Sequence, residues 1–410
     1  MTQPPEIVID QKRLDSLCEQ WRAQGRFVFD TEFIRDETYD AALCLIQVTT
    51  GENVILIDPT VGLDVAVFWS LVTDPNVVTI VHAGKEDFDV CLRMTGEPPR
   101  NVFDVQIAAG LVGLHYPLSL TRLVEQMLQK RIAKGQTMTD WLRRPLTEDQ
   151  IRYAVEDVVY LPRIYELLVT ELRRRGRESW AHEEFRRFED PQFYKPPVQE
   201  RAYKLKGTTR LDGVGLAVLT KLIEWRERWA KEKNRPIRAL IRDDVLVEIA
   251  RRRPTDAGSI QVLRGFPQSK NPKIVREVLD LVKAGMATPR SEQPPVVEIR
   301  EESPMEKAMV DLLSAVVRAI CFEEGIATEL LGTTQRIREF LDAANAQKTD
   351  AVLMAGWRGE FIGRRLSDLL AGRSEIHLSG WPDHPELAVV AHGGNQSSQH
   401  GDRDCRHCAG

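Results

Sequence analysis

The 410-residue chain is predicted to be an α/β domain, a mixed sheet flanked by helices, followed by one or two all-α bundles. Three observations carry that prediction. Residues 1–187 alternate between short apolar runs and helical periodicity, whereas 207–288 and 305–373 are periodic at helical spacing with no credible strand. A composition of 42% hydrophobic and 29% charged residues belongs to an ordinary globular protein. The basic residues cluster instead of spreading: 201–290 holds 21 Lys and Arg against 10 Asp and Glu, a balance of +11, which leaves 35 against 51, or −16, for the rest.

The elements follow in order. Gln11–Gln24 reads as a helix, and then come three apolar runs, RFVFD, ALCLIQVT and NVILIDP, joined by short polar gaps. A parallel crossover needs a dozen or more residues, so such gaps predict antiparallel neighbours. VVTIVHA is a further strand with a helix starting near Lys85, and NVFDVQIAAGLVG and several helices complete the domain. Residues 188–206, rich in Pro and charge, read as a linker. The stretch 207–288 is helical, with Pro236 interrupting a long amphipathic segment. A second linker (289–304) leads to the helical stretch 305–373, and 374–410 is expected to be disordered.

These totals narrow the class. The N-terminus has neither a basic n-region nor an apolar h-region, and no apolar run reaches the roughly 18 residues of a membrane span. Cysteines at 18, 44, 91, 321, 405 and 408 are too scattered for a disulfide framework. A cytoplasmic, reduced protein with no membrane partner is expected, and nothing in the sequence points to a protein partner. The +11 segment suits a polyanion, nucleic acid being the commonest.

FVFDTEF (27–33) raises the chemical question. Side chains alternate along a strand, so Asp30 and Glu32 share one face at the end of an apolar run, with Thr31 opposite. Holding two acids there costs repulsion and desolvation. Two further stretches belong with it. VHAGKEDF places Asp87 in the first turn of a helix, and YAVEDVVYL sets Tyr153 and Asp157 four apart on one helix face. Hard cations such as Mg²⁺ take carboxylate, water and phosphate oxygens, and two of them can clamp a phosphodiester. Four carboxylates neutralise two such ions, with Tyr153 placed to orient the attacking water.

The order D-x-E, His-x₄-Asp, Y-x₃-D resembles the exonuclease motifs of the DEDD superfamily in its DEDDy branch. FDTEFIRDETYDAALCLIQV, VHAGKEDFDVCL, FDVQIAAGLVG and TDWLRRPLTEDQIRYAVEDVVYL resemble ribonuclease D over about residues 5–185. The resemblance implies a ribonuclease H-like 3′→5′ exonuclease domain and hydrolysis of RNA from a free 3′-OH, releasing nucleoside 5′-monophosphates, with tRNA precursors as the implied substrate. It also implies two Mg²⁺ or Mn²⁺ per active site, held by Asp30, Glu32, Asp87 and Asp157, with Tyr153 positioning water. The basic segment, from LDGVGLAVLTKLIEWRERW to VREVLDLVKAG, resembles the helicase-and-RNase-D C-terminal (HRDC) domain, and 305–373 is a candidate degenerate second copy.

Candidate RNA contacts are Gln47 beside the first motif, Lys134 and Trp141 before the third, and Arg251, Arg252 and Arg253 in the basic segment. Blander readings stand beside these. Asp104, after the apolar pair Val102–Phe103, could face the site but suits a structural or supporting role, and His82 suits packing or support since Mg²⁺ prefers oxygen. Trp141 and Arg144 form either a packing corner or part of the path to the site. Cys405 and Cys408 supply one ligand pair where a structural zinc site needs four ligands. The rival activities are a 3′→5′ DNA exonuclease, which the same carboxylates would serve, and a non-catalytic RNA-binding protein on a nuclease scaffold. The latter is disfavoured by the complete acid set.

Overall fold

The computed structural model describes residues 4–34, 38–51, 53–132, 139–266, 268–296, 302–332 and 334–391. It divides into two compact units, residues 1–109 with 117–301, and 110–116 with 302–410.

In the first unit the chain runs β1 (Glu6–Val8), α1 (Gln11–Gln24), β2 (Arg26–Ile34), β3 (Ala42–Thr49), β4 (Val54–Ile57), α2 (Ala66–Val72), β5 (Val78–Val81), α3 (Lys85–Thr95), β6 (Val102–Asp104), α4 (Val105–Leu111), α5 (Leu120–Leu128), α6 (Glu148–Val159), α7 (Leu161–Arg174) and α8 (Glu178–Phe185). The sheet order is β1-β4-β3-β2-β5-β6. As the short gaps predict, β2, β3 and β4 form an antiparallel meander, while β5 and β6 add in parallel through helical crossovers. The three-residue β1 escaped the sequence reading. It is too short for alternation to show, and it exists because β4 offers it a parallel edge.

β2 is the axis of the domain. Phe27 and Phe29 bury on one face against Phe68, Trp69 and Phe88, with ring centroids 5.5–6.1 Å apart. The other face carries Asp30 and Glu32, and α6 packs over β2, β3 and β4.

The segment expected as a linker at 188–206 is structured instead. It forms α9 (Pro191–Tyr194) and α10 (Val198–Tyr203), and Ala202 lies in the core of the bundle that follows. Pro191 opens α9 at its first position, where a missing N–H costs nothing, and Pro197 is the N-cap of α10. The bundle comprises α11 (Gly213–Lys233), α12 (Ile237–Leu240), α13 (Asp243–Arg252), α14 (Ala257–Gln261) and α15 (Pro272–Met286). Gly285 permits its tightest crossing, because a Cβ there would lie 2.6 Å from Val218 Cα. The second linker also returns to the bundle, where Pro295 O accepts a 2.6 Å hydrogen bond from the Tyr203 hydroxyl. Bundle and nuclease meet where Asn234, capping α11, accepts from the backbone N–H of Tyr39 at 3.2 Å.

The second unit contains α16 (Pro304–Glu324), α17 (Thr328–Leu331), α18 (Thr334–Asn345), α19 (Gly356–Arg358) and α20 (Arg364–Leu370), around buried Leu313, Phe340 and Trp357. The expectation of disorder from residue 374 is corrected at its start. Strands β7 (Ser374–Ser379) and β8 (Glu386–Ala391) pair as an antiparallel hairpin. Six-residue strands this exposed carry too little apolar pattern to stand out, and packing on α16 and α20 provides the support an isolated hairpin lacks. Residues 392–410, with Cys405 and Cys408, lie outside the described residues. No helix among the described residues is long and apolar enough to cross a membrane. Cys18, Cys44, Cys91 and Cys321 are free and buried.

Candidate metal centre

Three elements deliver the carboxylates. β2 projects Asp30 and Glu32 onto one face, and α6, lying across that face, brings Asp157 down to them. Each of the three offers an oxygen, and these oxygens lie within 4.8 Å of one another. Asp87 arrives from the other side. It sits in the first turn of α3, on the Phe29 face, and accepts a hydrogen bond from the Thr31 hydroxyl. Asp87 is therefore outside the compact trio, yet its charge is felt by Asp30, Glu32 and Asp157.

The electrostatics show how unfavourable this gathering is without counter-ions. Burial, then the charges of Asp87, Asp157 and Glu32, hold Asp30 well above the ordinary carboxylate range. Burial with Asp157 and Asp87 lifts Glu32 to about 8. Asp157 rises to about 7 through burial, opposed by the Tyr153 hydrogen bond, and Asp87 to about 6 through burial, opposed by Thr31. Asp157 Oδ2 is buried without a hydrogen-bond partner. An all-oxygen donor set, mutually repelling and with an unpartnered buried oxygen, fits a hard divalent cation such as Mg²⁺ or Mn²⁺.

α6 is aimed by its N-terminus. Thr147 and Gln150 form a capping box, and Gln150 Nε2 also donates to Thr139 Oγ1 (3.0 Å) and Asp140 O (3.1 Å). Tyr153 hydrogen-bonds Asp157 one turn on, and its hydroxyl is pushed up by burial and then by the surrounding carboxylates, so it stays protonated. The Trp141 ring lies 6.0 Å from that of Tyr153.

The loop carrying Trp141 is clamped by Arg144, whose partner Asp58 the sequence reading did not identify. The guanidinium grips Asp58 with Nε–Oδ2 at 2.5 Å and Nη2–Oδ1 at 2.7 Å, and donates to Trp141 O (2.7 Å) and Cys44 O (2.8 Å). The Cys44 carbonyl is available because pairing with β2 steps from Glu32–Leu45 to Phe33–Leu43, leaving Cys44 in a bulge. Asp58 pairs with a residue 86 positions away, so no local spacing could have revealed it.

Several expected RNA contacts fall elsewhere. Gln47 is 0% exposed and Trp141 6%, so neither presents a surface to a polymer; both belong to the packing behind the carboxylates. Their polarity and aromaticity suggested contact, but burial is a tertiary property. Arg251 and Arg252 are exposed and pair with Glu248, while Arg253 pairs with Asp212. Lys134 lies outside the described residues. His82 Nε2 meets Leu118 O at 2.9 Å, and buried Asp104 accepts from the N–H groups of Ala83 and Gln106, supporting the turn between β5 and α3.

Comparison with known proteins places this geometry. A family model described as 3′-5′ exonuclease matches residues 5–173, and one described as HRDC domain matches 215–282. Ribonuclease D of Shewanella sp. (strain ANA-3) is 31% identical across 89% of this chain and 94% of its own. Ribonuclease D of Jannaschia sp. (strain CCS1) is 32% identical across 92% and 98%. The crystal structure of Escherichia coli RNase D, described as an exoribonuclease involved in structured RNA processing, superposes with a TM-score of 0.78 at 29% identity, covering 90% of this chain and 99% of that one. With the nuclease and HRDC domains in the same order and similarity along nearly the whole length, the chain belongs to the ribonuclease D family and is a divalent-metal-dependent 3′→5′ exoribonuclease.

Proposed function

We propose that Asp30, Glu32, Asp87 and Asp157 hold two Mg²⁺ or Mn²⁺ ions at the end of β2, and that the enzyme trims precursor tRNA 3′ ends to release nucleoside 5′-monophosphates. The observation that carries the reading is the Asp30–Glu32–Asp157 cluster, compact and held partly uncharged by burial and mutual repulsion. Bound divalent cations supply the charge neutralisation and water activation that phosphodiester hydrolysis needs. The carboxylates bind and space them. Asp87, which accepts a hydrogen bond from Thr31, would complete the ligand set, and Tyr153, a protonated phenol, would orient water through its hydroxyl instead of removing a proton. Arg144, through Trp141, keeps Tyr153 in place.

The bundle at 207–288 contributes phosphate contacts. Arg251 and Arg252 sit in exposed ion pairs, which are weak enough to be exchanged for RNA phosphates. The helices of 305–373 stand as a degenerate second copy of that bundle.

The test is digestion of end-labelled precursor tRNA and matched DNA, both with free 3′-OH ends, in Mg²⁺, Mn²⁺ or EDTA. A metal-dependent ladder receding from the RNA 3′ end, absent with Asp30→Ala and Asp157→Ala, is expected. Equal loss of DNA would shift the substrate class, and a trailer left untrimmed while other RNAs are degraded would remove tRNA from the proposal.

A further inference from the structure

Gln47 is the anomaly of the nuclease domain. It is fully buried, and neither its amide nitrogen nor its amide oxygen has a hydrogen-bond partner; among the described residues no other side chain has two such atoms. An amide taken out of water without compensation weakens a fold, and a leucine or methionine of similar volume would serve simple packing better. Its position explains what packing does not. Gln47 is the direct cross-strand neighbour of Asp30, on the face that α6 covers, with apolar Leu56 on its other side. Asp30 in turn has an oxygen within 4.8 Å of one on Asp157, whose Oδ2 is a second buried atom without a partner.

We propose that Gln47 is a positioning residue of the metal centre, its amide N–H reserved for the Asp30–Asp157 carboxylates when these are charged and holding cations. The inference rests on the metal reading of that cluster and adds to it a group outside the four acids. A carboxylate that ligates a cation uses one oxygen, or one lone pair, for the ion. Its orientation is then set by what binds the remainder, and a neutral amide does so without adding charge to a site that already has too much of one sign. Tyr153 and Thr31 already serve Asp157 and Asp87 in this way. Asp30 is served by the backbone of Thr31, and among the described residues the side-chain donor facing it across the strand pair is Gln47.

The test uses the full chain without RNA, titrated with Mn²⁺ by calorimetry or electron paramagnetic resonance, with Tm measured in EDTA. Gln47→Met and Gln47→Leu are expected to leave the metal-free Tm unchanged or raised, and to weaken Mn²⁺ binding by about 10- to 100-fold. Unchanged Mn²⁺ affinity in both variants, while Asp30→Asn abolishes binding, would overturn this inference and leave the metal reading intact. In a parallel RNA digestion, a raised KM with unaltered Mn²⁺ affinity would likewise overturn it and return Gln47 to substrate contact. A metal-free Tm lowered in both variants would also count against it, because the amide would then be bonded within the fold. Failure of the wild-type chain to bind Mn²⁺ would remove the metal reading and this inference together.

Discussion

The nuclease domain and the bundle that follows treat charge in opposite ways. At the end of β2, like charges are pressed together in a half-buried cluster, and among the described residues the charges that shift Asp30, Glu32 and Asp157 most are those of other carboxylates. In the bundle Arg251 and Arg252 pair with Glu248 at the surface, where burial is slight and pairing worth little, while the half-buried Arg253 pairs with Asp212. One region stores unfavourable electrostatics that a bound cation relieves; the other holds exposed cations that can trade partners. The difference is the one expected between a site that does chemistry and, on the proposed reading of the bundle, a surface that holds a polymer.

That contrast can be broken most sharply at the carboxylates. Asp30→Asn or Asp157→Asn should lower kcat about 10³-fold, the equivalent of losing several kcal/mol of charge stabilisation, while the metal-free Tm rises. A stabilised, inactive enzyme is the signature of a group kept for function, and a fall in both would mean the acid is structural. Arg144→Lys should come next. It keeps the charge but loses the two-pronged grip on Asp58 and the hold on Trp141, and kcat should drop roughly 10- to 100-fold through displacement of Tyr153, with KM little changed. A change in KM alone would place the loop on the RNA path instead.

On the bundle side the effect should be smaller and of a different kind. Replacing Arg251 and Arg252 together by Gln should raise KM for RNA a few-fold and flatten the salt dependence of log K by about 1.4, with kcat unmoved. The smallest effect is on stability. Glu32, Asp157 and Asp87 titrate at about 8, 7 and 6 in the folded chain, above their unfolded values. The folded state therefore binds the extra protons, and the stability this provides is full below about pH 4 and is lost as pH rises through 6 to 8. Metal-free Tm should fall by roughly 5 °C between pH 5 and 8.5, and Mg²⁺ should remove most of that fall because it binds the charged form. A flat profile in EDTA would contradict the electrostatic reading of the cluster.

The meander, the parallel additions, the helical register of Tyr153 and Asp157, and Asp87 in the first turn of its helix were all legible in residue spacing. Each is set by a local period, two for strands and 3.6 for helices. What spacing concealed lies where distant segments meet. The pair Arg144–Asp58 spans 86 positions, and Thr31, placed on the far face from Asp30, turned out to hold Asp87 because α3 packs on that face. The linker at 188–206 read as open chain because its prolines and charges are common to loops and to the first turns of short helices, and only the bundle core decides between them.

The sequence by itself determined which residues have chemistry to offer: four acids and a tyrosine at fixed periods in a mostly acidic chain, and a cationic helical segment behind them. The tertiary structure alone decided their environment. It set Asp30, Glu32 and Asp157 within 4.8 Å of one another, buried Gln47 and Trp141 where contact with RNA had been expected, and engaged Arg253 with Asp212. The reason is that periodicity dictates the face on which a side chain emerges. Burial, pairing and proton affinity depend on what the rest of the chain brings against that face.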